Sequence, residues 1–294
     1  ALSKLCEGIS DDGSKRLVAA LVFGCQQGVS WDDRTAFLKS GTIHILSVSG
    51  LHVAMVAALF AIALRVLPFR LRHLLIPLLT LLYALTTGMQ APSFRAFAML
   101  AAWSFLRAAL LSTNAMNSTL LAACLLLAWS PAQMLDSGFQ YSFLCVLFLL
   151  GSAELFRDWR SCACERRRWT PVSFSHPLSR FKEKSLEWLW LSVASCLVAW
   201  LASCGLSLLY QGLGVPYSIP TNMVLIPITW CIFVTFALQG LFFWVPGFMA
   251  FSGFFMEFFL RAMNAVCHFF ADSGGGHAPM PPAWRVAWFL GLLA

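Results

Sequence analysis

Long uncharged stretches set the pattern of this chain. From Trp188 to Met256 there is no Asp, Glu, Lys or Arg, and residues 40–64, 73–94 and 108–135 lack all four as well. Within these stretches apolar residues run on without the alternation of a half-buried strand. A helix needs roughly 20 apolar residues to cross about 30 Å of hydrocarbon, so 188–256 alone has room for two or three crossings. The runs are too long for membrane-barrel strands of about 10 residues, and a helix satisfies its own backbone in lipid. The pattern predicts an all-α, polytopic membrane protein with about eight full spans. They fall near residues 44–66, 74–87, 94–111, 118–129, 139–156, 186–210, 220–245 and 248–270, and a truncated ninth opens near 284. The second and fourth are short.

Composition agrees. Of 294 residues 59% are hydrophobic and 11% charged, with a mean hydropathy of +0.75. A soluble domain carries about 25% charge, so a soluble enzyme, a disordered tail and a small disulfide scaffold are excluded. Residues 1–42 differ: they are charge-balanced, with Lys4, Lys15, Arg16, Arg34 and Lys39 against Glu7, Asp11, Asp12, Asp32 and Asp33. Ser30 reads as a helix N-cap with Asp32 and Asp33 at the positive end of the dipole, and Gly41 as the stop. We read 1–42 as extracytoplasmic or interfacial lead-in helices and 43–294 as the transmembrane domain. The chain opens on Ala1 and ends within an apolar run, the expectation being a fragment of something longer.

The net charge of +7 sits in a few connections. One is 157–184, where Arg157, Arg160, Arg166, Arg167, Arg168, Arg180, Lys182 and Lys184 face Asp158, Glu165 and Glu183; the other is Arg65, Arg70 and Arg72. The positive-inside rule makes both cytoplasmic loops, without requiring contact to DNA or anionic lipid. Alternation then puts Arg107 inside, 88–93 and 131–137 outside, and the N-terminal segment outside. The ten cysteines are scattered among apolar residues, and Cys162-Ala163-Cys164 lacks a second pair at zinc spacing, so neither metal nor cofactor is expected. Cys6 and Cys25 share the outer side, and their pairing is left open.

A few polar residues interrupt the apolar filler, and intramembrane polar groups generally face a bundle interior or a watery cavity. Residues 41–53, GTIHILSVSGLHV, hold His44, Ser47, Ser49, Gly50 and His52. On a regular helix His44 and Ser47 share one face, Ser49 and His52 another. A serine next to a histidine invites comparison with intramembrane serine hydrolases, but such a dyad normally spans two helices, and Ser47 breaks their G-x-S-G pattern. Residues 91–96, APSFRA, place Pro92 and Ser93 at a helix start and Arg95 one turn inside, either snorkelling to the interface or lying at the outer mouth of a path for an anionic polymer. Residues 135–146, LDSGFQYSFLCV, carry Asp136 as a cap ahead of Gly138, then Gln140 and Ser142. Residues 221–227, TNMVLIP, contribute Asn222, with Pro227 able to break the seventh span, as in some transporters. The 26 Phe, 12 Trp and 4 Tyr serve packing and interfacial belts, and no P-loop or dinucleotide fingerprint is present.

Taken in order, GTIHILSVSGLHV, APSFRA, LDSGFQYSFLCV and TNMVLIP resemble the membrane domain of the ComEC-type competence family, over about residue 17 to the end. Tyr141, where Leu is more usual, and Ala91, where Ser is common, are mild departures. The resemblance implies an inner-membrane protein that carries one strand of transforming DNA into the cell. It assigns the pathway to His44, Ser49, Gly50, His52, Pro92, Arg95, Asp136, Gly138, Gln140, Ser142 and Asn222. It further implies single-stranded DNA, an extracytoplasmic DNA receptor and a cytoplasmic helicase or motor as partners. A homo-oligomer is compatible with it. Nuclease activity would lie outside this chain, which is then not itself an enzyme. A small-solute transporter and an intramembrane serine hydrolase are the alternatives.

Overall fold

The structure is a computed structural model. It describes residues 8–111, 113–167, 177–210, 213–245, 247–273 and 278–279; for 158–167, 177–184, 213–214 and 278–279 it describes the backbone alone.

Two short helices come first. Helix α1 (Asp12–Phe23) is capped by Asp11, whose carboxylate accepts from Ser14 N–H at 2.8 Å, and ends at Gly24 in the left-handed region. Helix α2 (Trp31–Lys39) starts at the expected cap, Ser30, whose hydroxyl accepts from Asp33 N–H at 3.1 Å. The bundle follows: α3 (Gly50–Ala63), α4 (Phe69–Thr86), α5 (Ala91–Ala108), α6 (Ala115–Trp129), α7 (Ser137–Arg167), α8 (Pro177–Tyr210), α9 (Ser218–Leu241) and α10 (Phe248–Asp272). A two-residue antiparallel pair, Leu213–Gly214 with Ala278–Pro279, is the extended structure among the described residues. Successive helices from α3 to α10 pack as neighbours, α3 also meets α5 and α9, and α2 lies on α10.

Five helices are long and apolar enough to cross a membrane: α4, the first part of α7 (Ser137–Arg157), the second part of α8 (Ser185–Tyr210), α9 and α10. Gly50–Val66 and α6 are apolar but shorter. Helix α5 has 18 residues but carries Arg95 and Arg107 near its ends. Outward faces are apolar. Leu74, Leu78, Leu82 and Leu85 form one exposed stripe on α4, and Phe251, Phe254 and Phe258 another on α10. Such patches are a liability in water and cost nothing against lipid tails, which is why the chain is a helical membrane protein.

The elements refine the expected spans. The proposed first span, 44–66, is helical only from Gly50; before it runs a non-helical stretch with a single 3-10 turn at Ile43–Ile45. The second begins at Phe69, so Arg70 and Arg72 lie in its first turn, not in a loop. The 157–184 segment is largely helix, since α7 runs to Arg167 and α8 starts at Pro177. The side chains of Arg160, Arg166, Arg167, Arg168, Arg180, Lys182 and Lys184, Cys6, and the ninth span lie outside the described residues. Pro227 does not break its span: α9 is continuous, since proline removes one hydrogen bond and the packed bundle holds the rest of the helix.

The lead-in helices α1 and α2 share the core of the bundle. Leu21 and Val22 of α1 and Phe37 of α2 are fully buried in one core with Ile45, Met55, Leu225, Phe233, Met256 and Leu260. Polar bonds fasten the same segment to one face of α10. Ser10 N–H and Oγ donate to Glu257 at 2.8 Å each. Asn264 Nδ2 donates to Asp33 at 2.8 Å, and His268 Nε2 lies 3.1 Å from the same carboxylate.

Candidate functional site

The Gly-Thr pair that opens the first motif is a turn. Gly41 has φ +75°, and a Cβ there would lie 2.8 Å from Ser218 Cβ and 2.9 Å from Val215 Cγ1, so glycine is needed for both conformation and space. Thr42 is fully buried; its N–H donates to Phe37 C=O at 2.8 Å, and its hydroxyl meets Ser40 at 2.8 Å and Cys267 Sγ at 3.7 Å. The turn therefore joins the end of α2 to the start of α9 and to α10. His44, next in line, is exposed, and its carbonyl accepts from Ser47 Oγ at 3.2 Å.

Ser49 is extended and caps α3. Its backbone N–H donates to His52 Nδ1 at 3.0 Å, the return half of a capping box with histidine where Glu or Gln is usual. His52 is fully buried and stacks on Phe233 of α9, ring centroids 5.2 Å apart. With Nδ1 accepting, the neutral ring carries its proton on Nε2, which is buried and finds no partner among the described residues. The expected sharing of faces by His44 and Ser47 does not arise, because neither lies on the helix.

Helix α5 starts against this segment. Ala91 opens it, with Pro92 and Ser93 in its first turn, at the expected helix start; Ser93 Oγ points at Val48 C=O at 3.5 Å, and a Cβ at Gly50 would sit 3.5 Å from Ala96 Cβ. One turn in, Arg95 is 4% exposed. It does not snorkel: its Nη1 donates to Asp136 Oδ2 at 3.3 Å. Asp136 is the cap the sequence predicts, its Oδ2 also accepting from Phe139 N–H at 3.0 Å. Gly138 makes room for the pair, since a Cβ there would come 3.0 Å from Arg95 Nη2 and 3.2 Å from Asp136 Oδ2. The start of α7 is then tied to the end of α8. Gln140 accepts from Tyr210 Oη at 3.0 Å and donates to Met134 C=O at 3.0 Å, and Tyr141 Oη meets Ser207 Oγ at 3.1 Å.

Three of the four motifs thus converge. Residues 48–52, 93–96 and 136–141 meet where α3, α5 and α7 begin. Ser142 is half-buried beside them. Asn222 stands apart, in the second turn of α9, its Oδ1 buried without a partner among the described residues. Sequence reasoning missed Gln239, fully buried on α9 with neither amide atom partnered among the described residues; a lone amide in an apolar run was its one signal. It also missed Tyr210 and Ser207, whose roles depend on how α8 packs. Arg157, at the far end of the α7 apolar stretch, is exposed with Glu154 3.8 Å away. That places it roughly 30 Å along the helix from the Arg95 node.

The family model described as Competence protein matches residues 21–294. The chain is similar to ComE operon protein 3 of Bacillus subtilis (strain 168), 34% identical over 151 residues, which is 49% of this chain and 19% of that protein. It is similar also to the uncharacterized protein YcaI of Escherichia coli (strain K12), 34% identical over 100 residues, 31% of this chain and 13% of that one. The matched stretches are thus a fifth or less of these relatives' length. No solved structure matches. With the family model covering all but the first twenty residues, the chain belongs to the competence protein family.

Proposed function

We propose that this chain forms the membrane-embedded path by which one strand of transforming DNA crosses the cytoplasmic membrane during natural competence. The observation that carries the reading is the buried Arg95. A guanidinium held among spans almost free of charge is costly to keep, and a polyanion is a ligand for which such a cation is useful. Family membership supplies the biological setting.

Counting α3, α5 and α6 with the five longer helices gives eight crossings. The ends of α3 and α5, the start of α4 and the end of the α7 apolar stretch then share one side, with Arg65, Arg70, Arg72, Arg107 and Arg157. The positive-inside rule makes that side cytoplasmic, so the Arg95 node lies at the outer mouth and the lead-in helices outside. A strand would arrive there from an extracytoplasmic receptor and leave toward the basic ends of α7 and α8 and a cytoplasmic motor. Phosphates cannot enter hydrocarbon unpaired, so the route is lined by protein and water.

The hydrolase alternative asks His52 to take a proton from Ser49. Its Nδ1 is already engaged by the Ser49 amide, not the hydroxyl, and we propose a conduit without a catalytic step of its own. The test is transformation of a strain lacking the full-length gene, complemented with wild type or Arg95→Ala. Loss of uptake at unchanged membrane abundance supports the reading. Normal uptake by a stably inserted variant overturns it.

A further inference from the structure

The geometry points to Asp136 as an exchangeable internal counter-ion, holding the phosphodiester position on Arg95 until a strand displaces it. This rests on the uptake reading above. Among the described residues Arg95 is the one buried lysine or arginine. A guanidinium offers five N–H donors, and buried arginine is normally matched by a bidentate carboxylate at about 2.7–2.9 Å. Here a single carboxylate oxygen lies 3.3 Å from Nη1, and Nε is buried with no partner among the described residues. The Arg95 side chain is 5% exposed but that of Asp136 51%, so the anion stands at the surface of the bundle and the cation behind it.

The carboxylate is also independently held. Its Oδ2 caps α7 through Phe139 N–H, and the helix N-terminus favours its charge. On leaving Arg95 it keeps that partner, which makes exchange cheap. Gly138 keeps the Nη2 side open: a methyl there would touch the guanidinium at 3.0 Å. A phosphodiester brings two free oxygens, one for Nη1, now held by Asp136, and one for the adjacent Nη2, on the side Gly138 keeps open.

A fixed structural ion pair and an exchangeable one predict opposite signs for Asp136→Asn. The amide oxygen can still cap α7 but no longer competes for Arg95. In the full chain, reconstituted in phosphatidylcholine nanodiscs and probed with a fluorescent oligo-dT, Asp136→Asn should bind about fivefold tighter than wild type, the weight of a half-exposed pair. Arg95→Gln should bind weaker, with its log K against log salt slope shallower by about 0.7, one phosphate's worth for a single strand. Gly138→Ala, which leaves both charges in place, should weaken binding. Should Asp136→Asn fail to fold, Gly138→Ala decides: unchanged binding overturns the proposal. Asp136→Asn binding no tighter than wild type, or wild type binding no oligo-dT, overturns it too, and neither touches the transformation result. If phosphatidylglycerol discs abolish the Asp136→Asn gain, the occupant is a lipid headgroup and the strand assignment falls.

Discussion

Replacing Gly41 by alanine measures the turn that delivers the chain to α3. Two costs add. An L-residue at φ +75° pays about 1–2 kcal/mol for the left-handed conformation. The new methyl would also stand 2.8 Å from Ser218 Cβ, an atom that moves only with the first turn of α9, and 2.9 Å from Val215 Cγ1. Relieving such overpacking typically costs about 1–3 kcal/mol. The expected loss is therefore roughly 2–5 kcal/mol. Two companions separate the costs. Gly88 has the same φ, +75°, with nothing within 4 Å of a Cβ, so Gly88→Ala should pay only the conformational part. Gly151 lies within α7 with equally open surroundings, and Gly151→Ala should gain about 0.5–1 kcal/mol of helix propensity. Reversible unfolding of the purified variants in one detergent, followed by tryptophan fluorescence, should rank them Gly151→Ala, wild type, Gly88→Ala, Gly41→Ala. Gly41→Ala no worse than Gly88→Ala would refute the contact with α9. Gly41→Ala at wild-type stability would refute the turn itself.

The remaining predictions concern single polar groups. Burial alone would raise the Asp33 carboxyl, but hydrogen bonds from Ser30, Asn264 and His268 outweigh it and hold it below the ordinary carboxylate range. Its stabilisation is thus present above the unfolded value of about 3.9 and lost as pH falls through the lower folded value; unfolding measured from pH 6 to 3 should show a shallower acid loss in Asp33→Asn than in wild type. His52→Ala should cost about 2–4 kcal/mol through an emptied core position and a lost cap, and His52→Gln less, because Gln at this position can restore the bond to the Ser49 amide; parallel detergent unfolding curves check the order. Ser49→Ala should transform at wild-type frequency, because its amide and not its hydroxyl holds His52; a stable Ser49→Ala variant that cannot transform would revive the hydrolase reading.

Much of the architecture is legible without coordinates. The last four full spans lie within a few residues of the apolar lengths of α7 and α8 (Ser137–Arg157 and Ser185–Tyr210) and of α9 and α10, because hydrocarbon thickness dictates how long an uncharged run must be. Ser30 and Asp136 are readable as caps because capping is local, a side chain bonding an amide three residues on. The first motif is misread as helix from His44 because, like a span, it carries no Asp, Glu, Lys or Arg, and the signal for a later start is disguised: the capping partner at the third helical position is histidine. The overrun of α7 and α8 beyond their apolar windows is equally hidden, since a helix that leaves the bilayer loses the hydrophobic signature by which it is recognised.

What the sequence determines by itself is a membrane-embedded helical protein, most of its boundaries, and which few residues are out of place in lipid. What the tertiary structure decides is where those residues find relief. Arg95 and Asp136 stand 41 positions apart and become partners only because α5 and α7 begin side by side with Gly138 leaving space between them. Likewise the lead-in helices belong to the core because a polar face of α10 meets Ser10 and Asp33. Apolar length is a property of the chain, additive along it. The pairing of polar groups depends on how each helix is rotated and which neighbour it meets, and that is set by packing.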